Sequence, residues 1–215
     1  MKDIAIYGAG GFGKEIACLI NRINREQGET WRIKGFFDDG FEKGTRVSHF
    51  GTILGGIDDV NNISSPLSVV IAIANPKTIH HLVNSIDNVN IDYPNIVCPN
   101  TYLSDPTTFS IGRGNIIQSD CKCSCDVRIG DFNVFNGSVV LGHDVKVGSF
   151  NSFMPGVRVS GEVAIGNCNF FGVGSIVLQQ IRIGDEIKLG AGSVLMRKPK
   201  NCGLYMGNPA KKIEL

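Results

Sequence analysis

Residues 111–195, set out six to a group, read IGRGNI IQSDCK CSCDVR IGDFNV FNGSVV LGHDVK VGSFNS FMPGVR VSGEVA IGNCNF FGVGSI VLQQIR IGDEIK LGAGSV L. Every group opens on an apolar residue: Ile111, Ile117, Cys123, Ile129, Phe135, Leu141, Val147, Phe153, Val159, Ile165, Phe171, Val177, Ile183, Leu189 and Leu195. In a chain that is 42% hydrophobic overall, chance does not give such an unbroken run. Neither a helical period of ~3.6 nor a plain alternation of ~2 accounts for it. A fixed internal period marks a solenoid, in which each repeat buries its face against the next.

A slower beat overlies the first. Ile111-Gly112, Ile129-Gly130, Val147-Gly148, Ile165-Gly166 and Ile183-Gly184 recur every 18 residues, and Asn115, Asn133, Asn151 and Asn169 keep the same spacing. Three hexads therefore make one coil, equivalent residues stack, and the asparagines can hydrogen-bond along a ladder. Glycine follows the inward residue at eight of the fifteen sites, which reads as a corner that needs positive φ. The expected form is a triangular parallel β-helix of about five coils, standing roughly 24 Å tall at ~4.8 Å per strand. Toward its start Val97, Leu103 and Phe109 keep the six-residue step, and the phase slips by two before Ile111.

The first part of the chain follows another pattern. A short apolar strand at residues 4–7 runs into Gly8-Ala9-Gly10-Gly11-Phe12-Gly13, and an amphipathic helix is expected over residues 14–24. Strand, Gly-x-Gly-x-x-Gly loop and helix form the context in which backbone N–H groups and a helix end receive a phosphate. A second strand at residues 33–37 ends on Asp38-Asp39, where a ribose hydroxyl is commonly held. Further strands are expected at 52–56 and 68–74, with a helix at 78–84. This is too little chain for a full six-strand dinucleotide fold, so a Rossmann-like α/β half-domain is expected over 1–92 and the β-helix over 93–215. The loop fits a nucleotide or nucleotide sugar, with NAD(P) or a purely structural turn as alternatives.

Net charge is +1, with basic residues scattered, so no global field recruits nucleic acid or membrane. No apolar run has signal-peptide or transmembrane length. Seven cysteines without an export signal point to reduced thiols and a cytoplasmic protein. Cys121, Cys123 and Cys125 lack the gaps and second cluster of a zinc site, and no metal is expected. His49, His80 and His81 read as solvated residues. His143, two residues past the inward Leu141, stands at a corner outside the core. Neutral imidazole there can act as a general base, with Asp144 fixing its tautomer or raising its basicity.

The combined motifs resemble the bacterial sialic acid O-acetyltransferase and nucleotide-sugar N-acetyltransferase family, whose members carry a left-handed β-helix. The likeness rests on the glycine loop, Phe37-Asp38-Asp39, residues 136–144, Pro155-Gly156 with Ser160-Gly161, residues 190–194, and Gly207-Asn208-Pro209-Ala210-Lys211. It implies the left hand, a homotrimer, and acetyl-CoA as co-substrate. It further implies His143 as base, Asp144 as assisting acid and Asn136 as an active-site amide. Gly10, Gly11, Phe12, Asp38, Asp39, Gly55 and Gly56 would form the nucleotide-sugar site. Ser152, Val173 and Ala191 would lie along acetyl-CoA. Met196-Arg197-Lys198-Pro199 departs from the family's usual Asp-Val-Pro. A single His in the solenoid is too few for the three-histidine zinc site of β-helical carbonic anhydrases. The expected reaction is direct acetyl transfer to the amino group of a nucleotide-linked amino sugar. Sugar O-acetylation, a non-catalytic nucleotide-sugar scaffold and a dehydrogenase stand as alternatives.

Overall fold

The computed structural model describes residues 1–200 and 202–214. They form two compact units, Met1–Pro99 and Asn100–Leu215.

In the first unit the elements run β1 (Lys2–Tyr7), α1 (Gly11–Gln27), β2 (Trp31–Phe37), β3 (Arg46–Val47), β4 (Gly51–Gly55), α2 (Ile57–Asn61), β5 (Leu67–Ile71), α3 (Pro76–Ser85) and β6 (Ile91–Asp92). The sheet order is β3-β4-β2-β1-β5-β6, parallel throughout except that β3 runs against β4. Six strands are thus present where the chain length suggested too few, because β3 and β6 contribute only two residues each. All five residues of β5 are buried, as expected of a parallel strand covered on both faces. Helix α1 buries Ile16, Ala17, Leu19, Ile20 and Ile23. It starts inside the glycine loop and outlasts its expected end by three residues, stopping where Gly28 takes φ 92°. Helix α3 is held at its start by the Asn75 side chain, which accepts from the Lys77 and Thr78 N–H groups. Strand order reverses between β1 and β5, and parallel α/β sheets open their ligand crevice at such a point.

The second unit is a parallel β-helix. Nearly every hexad contributes one two-residue strand ending on the inward residue, and each pairs in parallel with the strand 18 residues on. One sheet stacks Ile116–Ile117, Val134–Phe135, Ser152–Phe153, Phe170–Phe171 and Ile187–Leu189. The second stacks Tyr102–Leu103, Lys122–Cys123, Val140–Leu141, Arg158–Val159, Ile176–Val177 and Val194–Leu195. The third stacks Ser110–Ile111, Arg128–Ile129, Lys146–Val147, Ala164–Ile165 and Arg182–Ile183. Leu103 pairs with Cys123, twenty positions on, so the slip lies between Leu103 and Ile111 and Phe109 is off the beat. Gly203–Gly207 adds in parallel to Ile187–Leu189, and Ala210–Lys212 folds back against it.

Two internal columns hold the coils in register. Asn115, Asn133, Asn151 and Asn169 are fully buried. Each Oδ1 accepts from the backbone N–H of the residue 18 positions on, at 2.7–2.9 Å, ending with Ile187. Phe135, Phe153 and Phe171 stack with centroids 4.7 and 4.6 Å apart.

The glycines after the inward residues do not supply the positive φ expected of them. The left-handed position is the fourth of each hexad, at Gly114, Asp120, Asp126, Phe132, Ser138, Asp144 and onward to Gly192. Ten of those residues are not glycine, and the coil's hydrogen bonds hold them there: the N–H of Asp144 donates to the Cys125 carbonyl, and that of Glu162 to the His143 carbonyl. The glycines instead permit close stacking. A Cβ on Gly130 would meet the Gly148 carbonyl oxygen at 2.7 Å, and one on Gly148 the Gly166 oxygen at 2.5 Å.

Candidate functional site

His143 and Asp144 occupy the turn after Leu141. Leu141 is buried and anchors the turn, while the two side chains are 55% and 56% exposed. Asp144 adopts φ 58°, which swings its carboxylate back so that Oδ2 lies 2.9 Å from His143 Nδ1. With the proton on Nδ1 facing that carboxylate, Nε2 carries the free lone pair. A cavity of about 520 Å³ opens beside Asp144, lined by Lys146, Glu162, Val163, Ala164 and Arg182. Histidine and carboxylate are thus adjacent and open to solvent, and the carboxylate borders the cavity.

The other residues assigned to transfer chemistry lie elsewhere. Asn136 follows Phe135 on a different edge of the prism and is 8% exposed. Its amide accepts from Gln118 Nε2 at 2.8 Å and faces Met154 Sδ at 3.8 Å. Val173 and Ala191, 18 residues apart, stack on that same edge and are exposed. Ser152 has no exposed surface, and its hydroxyl has no hydrogen-bond partner among the described residues. The expectation that Ser152 touches a ligand is therefore corrected: in this chain its side chain is closed off. Within one chain, then, the His143 edge and the Val173–Ala191 edge are separate.

The first unit has its own cleft of about 370 Å³, lined by Tyr7, Gly8, Asp38, Asp39, Ile57, Ile73, Thr78, His81 and Leu82. It opens at the ends of β1, β2 and β5. Both carboxylates are already anchored. Asp38 accepts from the Ala9 N–H at 2.8 Å and the Gly40 N–H at 2.9 Å. Asp39 accepts from the Ile57 N–H at 2.9 Å and from the Tyr7 hydroxyl. Burial, then the bond to Asp39, hold the Tyr7 phenol well above its ordinary pKa.

The fingerprint glycines divide into two kinds. Gly8 has φ 110°, and a Cβ there would meet the Ala72 carbonyl oxygen at 2.7 Å, while one on Gly13 would strike the Gly8 carbonyl. These two are required by the fold. Gly10 and Gly11 would meet nothing within 4 Å, so the chain itself leaves that room open. Gly10 precedes α1 with no side-chain cap, and Phe12 follows within the first turn. Gly55 and Gly56 make room for carboxylates: a Cβ on Gly55 would overlap Asp59, and one on Gly56 would come within 2.5 Å of Asp39 Oδ1. They shape the cleft from behind and line none of it.

His81, expected to be a solvated helix residue, is exposed on α3 and also lines this cleft with Tyr7, Ile57, Ile73 and Thr78. The signal lay in the strand order, since α3 follows β5 at the reversal point. Among the described residues no group of three or more His, Cys, Asp or Glu is placed to hold a metal ion. No helix among the described residues is long and apolar enough to cross a membrane.

Residues 3–86 match the PglD N-terminal domain family. The acetyltransferase domain of PglB from Neisseria gonorrhoeae superposes with a TM-score of 0.88 at 24% identity, over 99% of this chain and 100% of that one. The chain has the fold of the PglD-like, left-handed β-helix acyltransferases. PerB from Caulobacter crescentus, solved with CoA and GDP-perosamine, matches at TM-score 0.86 and 23% identity, over 100% and 98% of the two chains. WeeI from Acinetobacter baumannii AYE matches at TM-score 0.86 and 26% identity, over 99% and 100%. The PglB domain has also been solved with acetyl coenzyme A. No curated protein sequence matches the chain. The PglD-like fold accounts for both units, and the left hand of the β-helix comes with it.

Proposed function

We propose that this protein is an acetyl-CoA-dependent acetyltransferase that acetylates the amino group of a nucleotide-linked amino sugar, with His143 as general base. The observation that carries the reading is the solvent-exposed His143–Asp144 pair, 2.9 Å apart, on the solenoid. The likeness to structures holding acetyl-CoA, CoA and GDP-perosamine supports the substrate classes.

In this reading Nε2 of His143 takes the proton as the acceptor amine attacks the thioester carbonyl carbon. The new C–N bond forms, the C–S bond breaks, and CoA leaves as the thiol. Asp144 keeps Nδ1 protonated and steadies the imidazolium. A backbone N–H receives the oxyanion. Among the described residues the His143 ring bonds to Asp144 and to no Ser or Cys side chain, which favours transfer without a covalent intermediate.

Residues 1–92 recognise the nucleotide sugar: Gly10, Gly11 and Phe12 receive its phosphates, and Asp38 and Asp39 lie in the cleft, with Gly55 and Gly56 behind. Residues 93–215 carry the chemistry. Because Asn136, Val173 and Ala191 sit on a different edge from His143, the complete site joins His143 of one copy to the Val173–Ala191 edge of another in a cytoplasmic homotrimer. The test is thiol release from acetyl-CoA across UDP-, GDP- and dTDP-linked amino sugars. Release with one of them supports the proposal; release only with a free hydroxyl sugar favours O-acetylation, and none with any acceptor overturns it.

A further inference from the structure

Two buried columns of this β-helix, the Asn ladder and the Phe stack, repeat one residue type every 18 positions. The column at the catalytic corner does not. It reads Cys125, His143, Gly161 and Gln179. The imidazole leans over the next coil, where an unbroken column would place a side chain. A Cβ built on Gly161 would overlap His143 Nε2, and would lie 2.6 and 2.9 Å from Cε1 and Cδ2. No other group is as near to that point.

The backbone cannot yield to relieve such an overlap. The Glu162 N–H donates to the His143 carbonyl at 2.8 Å, and the Asp144 N–H to the Cys125 carbonyl at 3.0 Å, pinning the corner from both neighbouring coils. Gly142, one residue before His143, packs equally close: a Cβ there would lie 2.6 Å from the Gly161 nitrogen. Gly161 itself has no positive φ, so glycine is not needed there for backbone conformation. It is needed for the space above it.

We infer that Gly161 is a positioning residue for His143: its missing side chain is the seat on which the imidazole rests, and it aims Nε2. This rests on His143 being the general base. An alanine methyl would push the ring aside by on the order of 1 Å to regain ordinary van der Waals separation. Displacements of that size at a reacting group cost about 10²-fold in rate.

The test is a double-mutant cycle of Gly161→Ala and His143→Ala, read by kcat, by the KM of each substrate and by thermal unfolding. Gly184→Ala is the control, since a Cβ there meets nothing within 4 Å. We expect Gly161→Ala to lower kcat about 10²-fold with both KM values near wild type, and Gly184→Ala to change neither. Any loss of thermal stability in Gly161→Ala should be small, since the overlapped atoms are the free end of a half-exposed ring, and it should vanish once that ring is removed. An equal stability penalty in both backgrounds, or a further kcat loss on adding Gly161→Ala to His143→Ala, would overturn the inference. Wild-type turnover by His143→Ala would instead defeat the general-base reading, and the stability cycle would still report on the seat.

Discussion

The hydroxyl of Tyr7, at the end of β1, donates to the carboxylate of Asp39, just past the end of β2. Asp39 in turn accepts from the Ile57 N–H at the start of α2, so one carboxylate ties two strands and a helix around the cleft. Tyr7→Phe keeps the ring and removes the bond. It should destabilise the protein by about 1.5–3 kcal/mol, the usual worth of a hydrogen bond to a charged group. The Tyr7 phenol titrates above its ordinary range in the folded state. Its contribution is therefore complete below the unfolded value of about 10 and is lost as pH rises toward the folded value. Urea unfolding at pH 8 should separate wild type from Tyr7→Phe, and the gap should narrow above pH ~10. A gap that widens with alkali would refute this account.

Phe153 is the middle of three stacked rings and has no exposed surface. Truncation to alanine removes contact with both neighbours and opens a cavity in a core whose coils cannot close up separately. The expected cost is about 3–5 kcal/mol. Chemical denaturation of both proteins at one fixed concentration measures it, so that any concentration dependence of stability affects them alike. A loss below about 1 kcal/mol would show that the stack contributes little.

The sequence beat identified the solenoid because inward residues, the Asn ladder and the coil length all share one spacing. Within that frame His143 could be put at a corner from its offset to Leu141. Spacing alone cannot separate a glycine that needs positive φ from one that needs room, and here the N–H bonds of residues such as Asp144 and Glu162 hold the left-handed corners. Ser152 is placed along acetyl-CoA by the resemblance alone, and it is buried here. Burial there depends on what covers that face, which no periodicity records. That the exposed His81 also borders the cleft is invisible in the sequence, because Tyr7 and Ile57 come from distant segments joined only by sheet order.

The thiols should fall into two groups. Cys18 and Cys202 are exposed, whereas Cys98, Cys121 and Cys123 are buried, and burial pushes the Cys123 thiol up to about 12. Thiolate is the reactive form, so Cys123 should stay unmodified at pH 8 in the folded protein. Mass spectrometry after brief alkylation should find label on Cys18 and Cys202, with Cys121 and Cys123 labelled only after denaturation. Rapid native labelling of Cys123 would contradict its place in the column.

The most direct test of the catalytic account is the steady-state turnover of His143→Ala with acetyl-CoA and the preferred nucleotide-linked amino sugar. Loss of a general base predicts kcat lower by about 10²–10⁴-fold, with the protein folded and both substrates still bound. Turnover within a few-fold of wild type would contradict the assignment of His143 as the base.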